Sequence, residues 1–227
     1  MRRLSSGFTL LEMVIVLVII GLLLAGILKG QELMTGARVR AIVQQHEGMR
    51  TAYLGFFDRY RSPPGDYANA AATISNISTA CGVAGSPGNG DGDAKIESSD
   101  GESTLAWEHL SKSGFLTGAY ACSGNATAPE PSSVPRNAYG QYLQLIYDNN
   151  YAGPSKVQHN LKTGNNMPSD IAAEIDRKVD DANALNGSFR GSSYTTGAPT
   201  DTACWDLTTG AWSVLPPLSN CGGAVLF

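Results

Sequence analysis

The strongest feature of the chain lies near its start. Residues 13–28 carry no charge and no strongly polar side chain, and residues 8–11 extend the run forward with only Glu12 between them. At about 1.5 Å of rise per residue, residues 8–28 make a helix spanning roughly the 30 Å hydrocarbon core of a bilayer. Farther on, Val39, Ile42, Val43, His46, Met49, Tyr53, Phe56, Phe57 and Tyr60 recur at three- and four-residue steps, with Arg38, Arg40, Gln44, Gln45, Glu47 and Arg50 largely on the other faces. This stripe predicts an amphipathic continuation laid against a globular head. Gly30, Gly36, Gly48 and Gly55 each weaken a helix by about 1 kcal/mol relative to alanine, but no proline breaks it before Pro63. One helix from Phe8 to about Tyr60 follows, roughly 80 Å long. His46, on the stripe, reads as a packed core residue.

Ser62-Pro63-Pro64-Gly65-Asp66 stops that helix, and a Gly/Ala/Ser/Asn-rich loop region runs to about residue 100. Ser99 with Glu102 three residues later makes a capping box opening a helix that closes at Gly114, with Leu105, Ala106, His109 and Leu110 inward. Residues 142–147 read as a strand and 156–161 as a second. Ile171, Ile175 and Val179 mark a further helix starting near Ser169. Residues 205–214 read as a hairpin around Thr208-Thr209-Gly210. An antiparallel sheet packed on the end of the long helix buries all these stripes at once, giving an α+β head.

Composition narrows the function. A chain of 227 residues, 42% hydrophobic and 16% charged, builds one core rather than two full domains. Its net charge of -4 lacks the positive field of a dedicated nucleic-acid binder; nucleic acid is disfavoured as a partner, though a local basic patch stays open. Arg2 and Arg3 precede the apolar run and hold the N-terminus in the cytoplasm, sending the rest outward. A secretory signal would end in a small-x-small site, whereas Leu24-Ala25-Gly26 runs on into Ile27-Leu28, so the segment is expected to be retained. Glu12 within it costs about 2.5 to 3.5 kcal/mol on insertion scales and marks function. Gly7 can lie extended in a protease cleft.

The run Gly7-Phe8-Thr9-Leu10-Leu11-Glu12 and the apolar stretch behind it resemble a type IV prepilin or type II secretion pseudopilin, strongly over residues 1 to about 60. The resemblance implies a leader (1–7), a transmembrane helix (8–28), a stalk helix (29–61) and a globular pilin head (62–227). It implies that prepilin peptidase, a membrane aspartyl enzyme, cuts between Gly7 and Phe8 and methylates Phe8. The mature chain, at -4 less the two leader arginines, then carries -6. The family's glutamate maps onto Glu12, which neutralises the Phe8 amine of a neighbouring subunit during filament assembly. Gly21 falls where these helices commonly carry glycine; Lys29 stands where many main filament subunits have proline, which points to a minor subunit. Implied partners are the peptidase, other pilin or pseudopilin subunits, the inner-membrane assembly platform and membrane lipid, with the head periplasmic or extracytoplasmic. Three further stretches are similar to large pilin-like proteins: Pro64-Gly65-Asp66, the 88–118 region around Ala106-Trp107-Glu108-His109-Leu110, and Ile175-Asp176-Arg177-Lys178-Val179-Asp180-Asp181, after which a glycine is expected where Ala182 stands. The expected function is structural, a minor pilin or pseudopilin and not an enzyme.

Four cysteines exported to an oxidising space favour disulfides over metal. Of three possible pairings, the spacing favours Cys204 with Cys221, closing a C-terminal loop as pilins commonly do, and leaves Cys81 with Cys122. No cofactor is expected, and a structural calcium stays open. Asn89, Asp91 and Asp93 at alternate positions, with Ile96 and the closing carboxylate Asp100, partly match an EF-hand loop, while Ala94 replaces its glycine; the alternative is a polar loop with no ion. No Gly-x-Ser-x-Gly, His-Glu-x-x-His or phosphate-binding loop occurs. A membrane-anchored cell-envelope hydrolase stays as the second reading, favoured by any head cleft lined with perturbed carboxylates.

Overall fold

The computed structural model describes residues 9–98, 101–122, 129–154, 156–192 and 202–227. Helix α1 runs unbroken over Leu10–Tyr60; Phe8, the expected start, lies outside the described residues. The chain divides into two compact units, residues 1–38 and 39–227. In the first unit the large apolar side chains of residues 10–28 are exposed all round the helix, from 46% at Ile20 to 83% at Leu10. A helix apolar on every side is stable only in a protein core or in lipid, and this one is long and apolar enough to cross a membrane.

In the second unit, α1 turns one stripe inward: Val39, Ile42, His46, Met49, Ala52, Tyr53 and Phe56 are buried. Phe57, expected on the same stripe, is 41% exposed. Phe56 packs its ring among Tyr60, Tyr67, His109 and Phe115, with centroids 4.5 to 6.2 Å away. Gly55 earns its place in the helix because a Cβ there would meet the Phe115 ring at 2.8 Å. The helix ends as Arg61 takes a positive φ of 57° and Pro63 and Pro64 follow.

Four short elements precede the second half of the sheet: α2 (Ala70–Thr73), α3 (Glu102–Lys112), β1 (Gln144–Asp148) and β2 (Gln158–Lys162). Then come α4 (Ser169–Val179), β3 (Phe189–Gly191), a 3-10 turn (Thr202–Cys204) and β4 (Gly223–Leu226). The sheet is antiparallel throughout, in the order β1-β2-β4-β3. Its register sets Leu145 opposite Leu161, Leu161 opposite Val225 and Val225 opposite Phe189. All four are buried, each burial being worth about 1.5–3 kcal/mol. His46 stacks on Phe189 at 6.4 Å and Tyr53 on Phe227 at 4.9 Å, so α1 lies along this apolar row. The α+β head of a long helix on an antiparallel sheet is therefore the observed fold.

The differences are local. Each of the first two strands begins two residues later than the apolar run suggested. Within the 205–214 segment the strand pairing is reduced to one bridge, Trp205 to Trp212, because Asp206 folds its carboxylate onto the Thr208 and Thr209 N–H groups and rounds off the turn. β3 and β4, rich in glycine, carried no strand signal. The α3 N-cap is Gly101 at φ 80°; Ser99, half of the expected capping box, lies outside the described residues, and Glu102 spends its carboxylate elsewhere.

Candidate assembly segment and carboxylate-held loops

At the head of α1, Thr9 donates its backbone N–H and its hydroxyl to Glu12 Oε2, each at 2.9 Å, while Thr9 Oγ1 accepts the Glu12 N–H at 3.2 Å. This reciprocal pair is a capping box, and the Thr-x-x-Glu spacing announced it, although only Glu12 had been singled out. It satisfies amide groups that the first turn of a helix leaves without an intrahelical acceptor. Both contacts fall on Oε2, and among the described residues Oε1 has no donor. Gly7 and Phe8, the cleavage and methylation positions, lie outside the described residues.

The head is organised by α3, buried from Glu102 to Leu110 on every side. Three of its polar side chains hold surrounding backbone. Glu102 accepts the Asp91 and Glu97 N–H groups at 3.1 Å each. Glu108 accepts Ser78 N–H at 2.7 Å and Cys122 N–H at 2.8 Å. His109 Nδ1 accepts Gly65 N–H at 3.0 Å, so by its partners the ring carries its proton on Nε2, directed to Gly88 O at 3.1 Å. Burial pushes His109 down to about 4, against the Gly88 bond. A loop region without regular structure is thus pinned from one helix, since buried amides must find acceptors. Sequence marked Glu102 as a capping residue, His109 as inward packing and Glu108 only as part of a similar stretch; acidic residues inside an amphipathic helix were the available signal for their shared role.

Asp66, 1% exposed, is the loop's second anchor. Its carboxylate accepts the Gly92 N–H at 2.7 Å, the Ala94 N–H at 3.1 Å and the Ser62 hydroxyl at 3.2 Å. Burial raises it to about 6 despite these bonds, with the Asp91 charge adding to the rise. Burial likewise raises Glu102 to about 7, opposed by the Glu97 and Asp91 amides and helped by the charges of Asp66 and Asp91. Of the candidate calcium ligands, Asn89 and Asp93 have protein partners. Asn89 Oδ1 accepts Ala71 N–H at 2.9 Å, inside α2, and Asp93 pairs with Lys95. Asp100 lies outside the described residues. The carboxylates that do converge are Asp66, Asp91 and Asp93, with oxygens within 4.8 Å of one another.

Both expected disulfides form, Cys81 to Cys122 and Cys204 to Cys221. The second joins the 3-10 turn to the approach of β4, where Cys221 also bridges Met167. Nearby, Trp212 donates its indole N–H to Asp176 Oδ2 at 2.7 Å. Ala182 takes φ 62° directly after the aspartate pair, the left-handed conformation for which glycine was expected. A cleft of about 590 Å³ is lined by Asn149, Tyr151, Pro154, Leu185, Trp205 and Leu207, among others; the perturbed carboxylates Asp66, Glu102 and Asp176 do not line it.

Fold and N-terminal segment together define a pilin-like architecture. Residues 2–28 match the family model of the prokaryotic N-terminal methylation motif. The motif supports membership of the type IV prepilin and pseudopilin-like proteins, made as precursors for prepilin peptidase and assembled with other pilin subunits. No curated protein and no solved structure matched the chain.

Proposed function

We propose that this chain is a minor pilin or pseudopilin, a structural subunit of a type IV pilus or type II secretion-type filament. The observation that carries this reading is the methylation motif opening directly into an unbroken helix whose apolar N-terminal part is exposed all round. In this reading the subunit waits in the inner membrane with its leader cytoplasmic and its head outside, and residues 1–7, 8–28, 29–61 and 62–227 serve as leader, membrane anchor, stalk and head. Peptidase cleavage after Gly7 frees the Phe8 amine. Stacked in a filament, residues 8–28 bury their apolar surface against those of other subunits. Glu12 then offers Oε1 to the amine of a neighbouring Phe8, while Thr9 keeps Oε2. The pairing sets the register, because an uncompensated charge in such a core costs several kcal/mol.

The test separates processing from assembly. In the native host, Gly7→Glu is expected to leave the leader in place, read by peptide mass. Glu12→Ala is expected to be cleaved normally yet depleted from sheared filaments. Wild-type protein that keeps its leader removes the prepilin reading; Glu12→Ala protein found in filaments at the wild-type level removes the pairing alone.

A further inference from the structure

We propose that the head carries an internal amide bond joining Lys162 Nζ to Asn160 Cγ, formed with loss of ammonia and with Asp148 as the proton carrier. Asn160 and Lys162 are alternate residues of β2, so both side chains stand on one face of the sheet, as does that of Asp148, which is opposite Gln158. Lys162 itself is opposite Gln144, at the other end of β1. Its amine nevertheless reaches Asp148 Oδ1 at 2.9 Å. The lysine side chain therefore lies along β2, across the place where Asn160 stands.

The carboxylate touches both reacting groups. Asp148 Oδ1 accepts from Lys162 Nζ and from Asn160 Nδ2, each at 2.9 Å, so amine and amide are held side by side on a single oxygen. Asn150 steadies that carboxylate, donating its backbone N–H to Oδ1 at 3.2 Å and its side-chain amide to Oδ2 at 3.1 Å. The orientation of the Asn160 amide follows from its neighbours. Nδ2 faces three acceptors, Asp148 Oδ1, Asp148 O and Gln158 O, while Oδ1 is buried with no partner. A buried acceptor left unmade asks for a reason, and membership of a reacting group is one.

Burial prepares the nucleophile. Lys162 and Asn160 are both 0% exposed, with Ala224 and Leu226 buried opposite them on β4 and the Tyr151 ring 5.5 Å from Nζ. Burial holds Lys162 below its ordinary value against the pull of Asp148, and only the neutral amine has an electron pair for attack. The lysine proton passes to Asp148, and Nζ adds to Asn160 Cγ. Asp148 then gives a proton to Nδ2 as the Cγ–Nδ2 bond breaks, and takes one back from Nζ. Ammonia leaves, and an amide and a neutral acid replace the ion pair. Close positioning in a site shut to water favours this step over hydrolysis. The ion pair in the structure is thus the reactant state, and its product is free of the desolvation cost that buried charges carry.

Tryptic digestion reads the bond. Full-length protein purified in detergent is reduced, unfolded and digested, and the peptide starting at Val157 is analysed by mass and by fragmentation. The expected peptide runs uncut past Lys162 to Arg177, is lighter than its sequence by one ammonia, and gives no fragments from breaks between Asn160 and Lys162. Asp148→Asn and Lys162→Met should each restore the full mass, and cutting after Lys162 should return in Asp148→Asn. Wild-type protein cut after Lys162 at full mass overturns the bond. So does ammonia loss that persists in Lys162→Met, which would belong to an asparagine closing on its own backbone, and so does a bond joining this peptide to the one carrying Asp148. Loss that persists in Asp148→Asn overturns the carrier role. The readout lies in the head, so it is independent of leader removal and of the filament reading.

Discussion

The Lys162 ammonium is completely buried and sits 2.9 Å from Asp148 Oδ1 across the β1–β2 pair. It also donates to Asn150 O at 2.7 Å. By strand alternation it stands on the sheet face opposite the Leu145–Leu161–Val225–Phe189 row. Burial holds the lysine below its ordinary value, with the Asp148 charge opposing. Removing only the acid strands a buried cation, so Asp148→Ala should cost about 3–5 kcal/mol in denaturant unfolding. Asp148→Asn with Lys162→Met should cost less than that single change. A loss under about 1 kcal/mol for Asp148→Ala would mean that Asn150 O alone sustains the ammonium.

Two buried groups should pull the pH dependence of stability in opposite directions. His46 is held down to about 4 by burial, and neither ring nitrogen has a partner. A depressed histidine contributes stability above its unfolded value near 6.5 that is lost as pH falls through about 4. His46→Leu should therefore gain on wild type progressively from pH 6.5 down to 4. Glu102 is raised to about 7, so its contribution is complete below about 4.5 and lost as pH rises through 7. Glu102→Gln should gain on wild type across that rise. Each difference is bounded by about 1.4 kcal/mol per pH unit, and thermal melts from pH 4 to 8 read both. Parallel profiles for the three proteins would refute the assignment.

The disulfides should differ in worth. Cys81–Cys122 spans 41 residues and Cys204–Cys221 spans 17, for which closure entropy gives about 4 and about 3 kcal/mol. Paired alanine replacements should follow that order in unfolding midpoint. The reverse order would place the greater constraint at the C-terminal loop.

Gly90 should be intolerant of any side chain, since a Cβ there would lie 2.3 Å from Asp66 Cα and Gly65 O. Gly90→Ala is expected to cost about 2 kcal/mol or more by forcing the loop off its anchor. Gly85 has φ 84° but open space around it, so Gly85→Ala should cost only about 1 kcal/mol, the strain of the left-handed backbone. Equal losses would show that conformation, and not close approach, governs both positions.

By itself the sequence determined the long helix, because a 21-residue apolar run and the stripe behind it express local periodicity, and no proline intervenes before Pro63. It also determined the N-terminal methylation motif, a contiguous string whose spacing carries the information, and α4, whose Ile171, Ile175 and Val179 repeat every turn. What the fold alone decided is the company that distant residues keep. Asp66, Glu102, Glu108 and His109 became anchors because the loops between residues 62 and 122 bury amide groups that must find acceptors. β3 and β4 exist because Leu161 and its neighbours offer an edge to pair with, not because Phe189–Gly191 or Gly223–Leu226 prefers a strand. The aspartates at the end of α4 were visible as letters, but their partners, the Asn183, Ser188 and Phe189 amides and the Trp212 indole, are brought from 183 to 212. Hydrogen bonding across such separations is fixed by packing, and periodicity along the chain has no access to it.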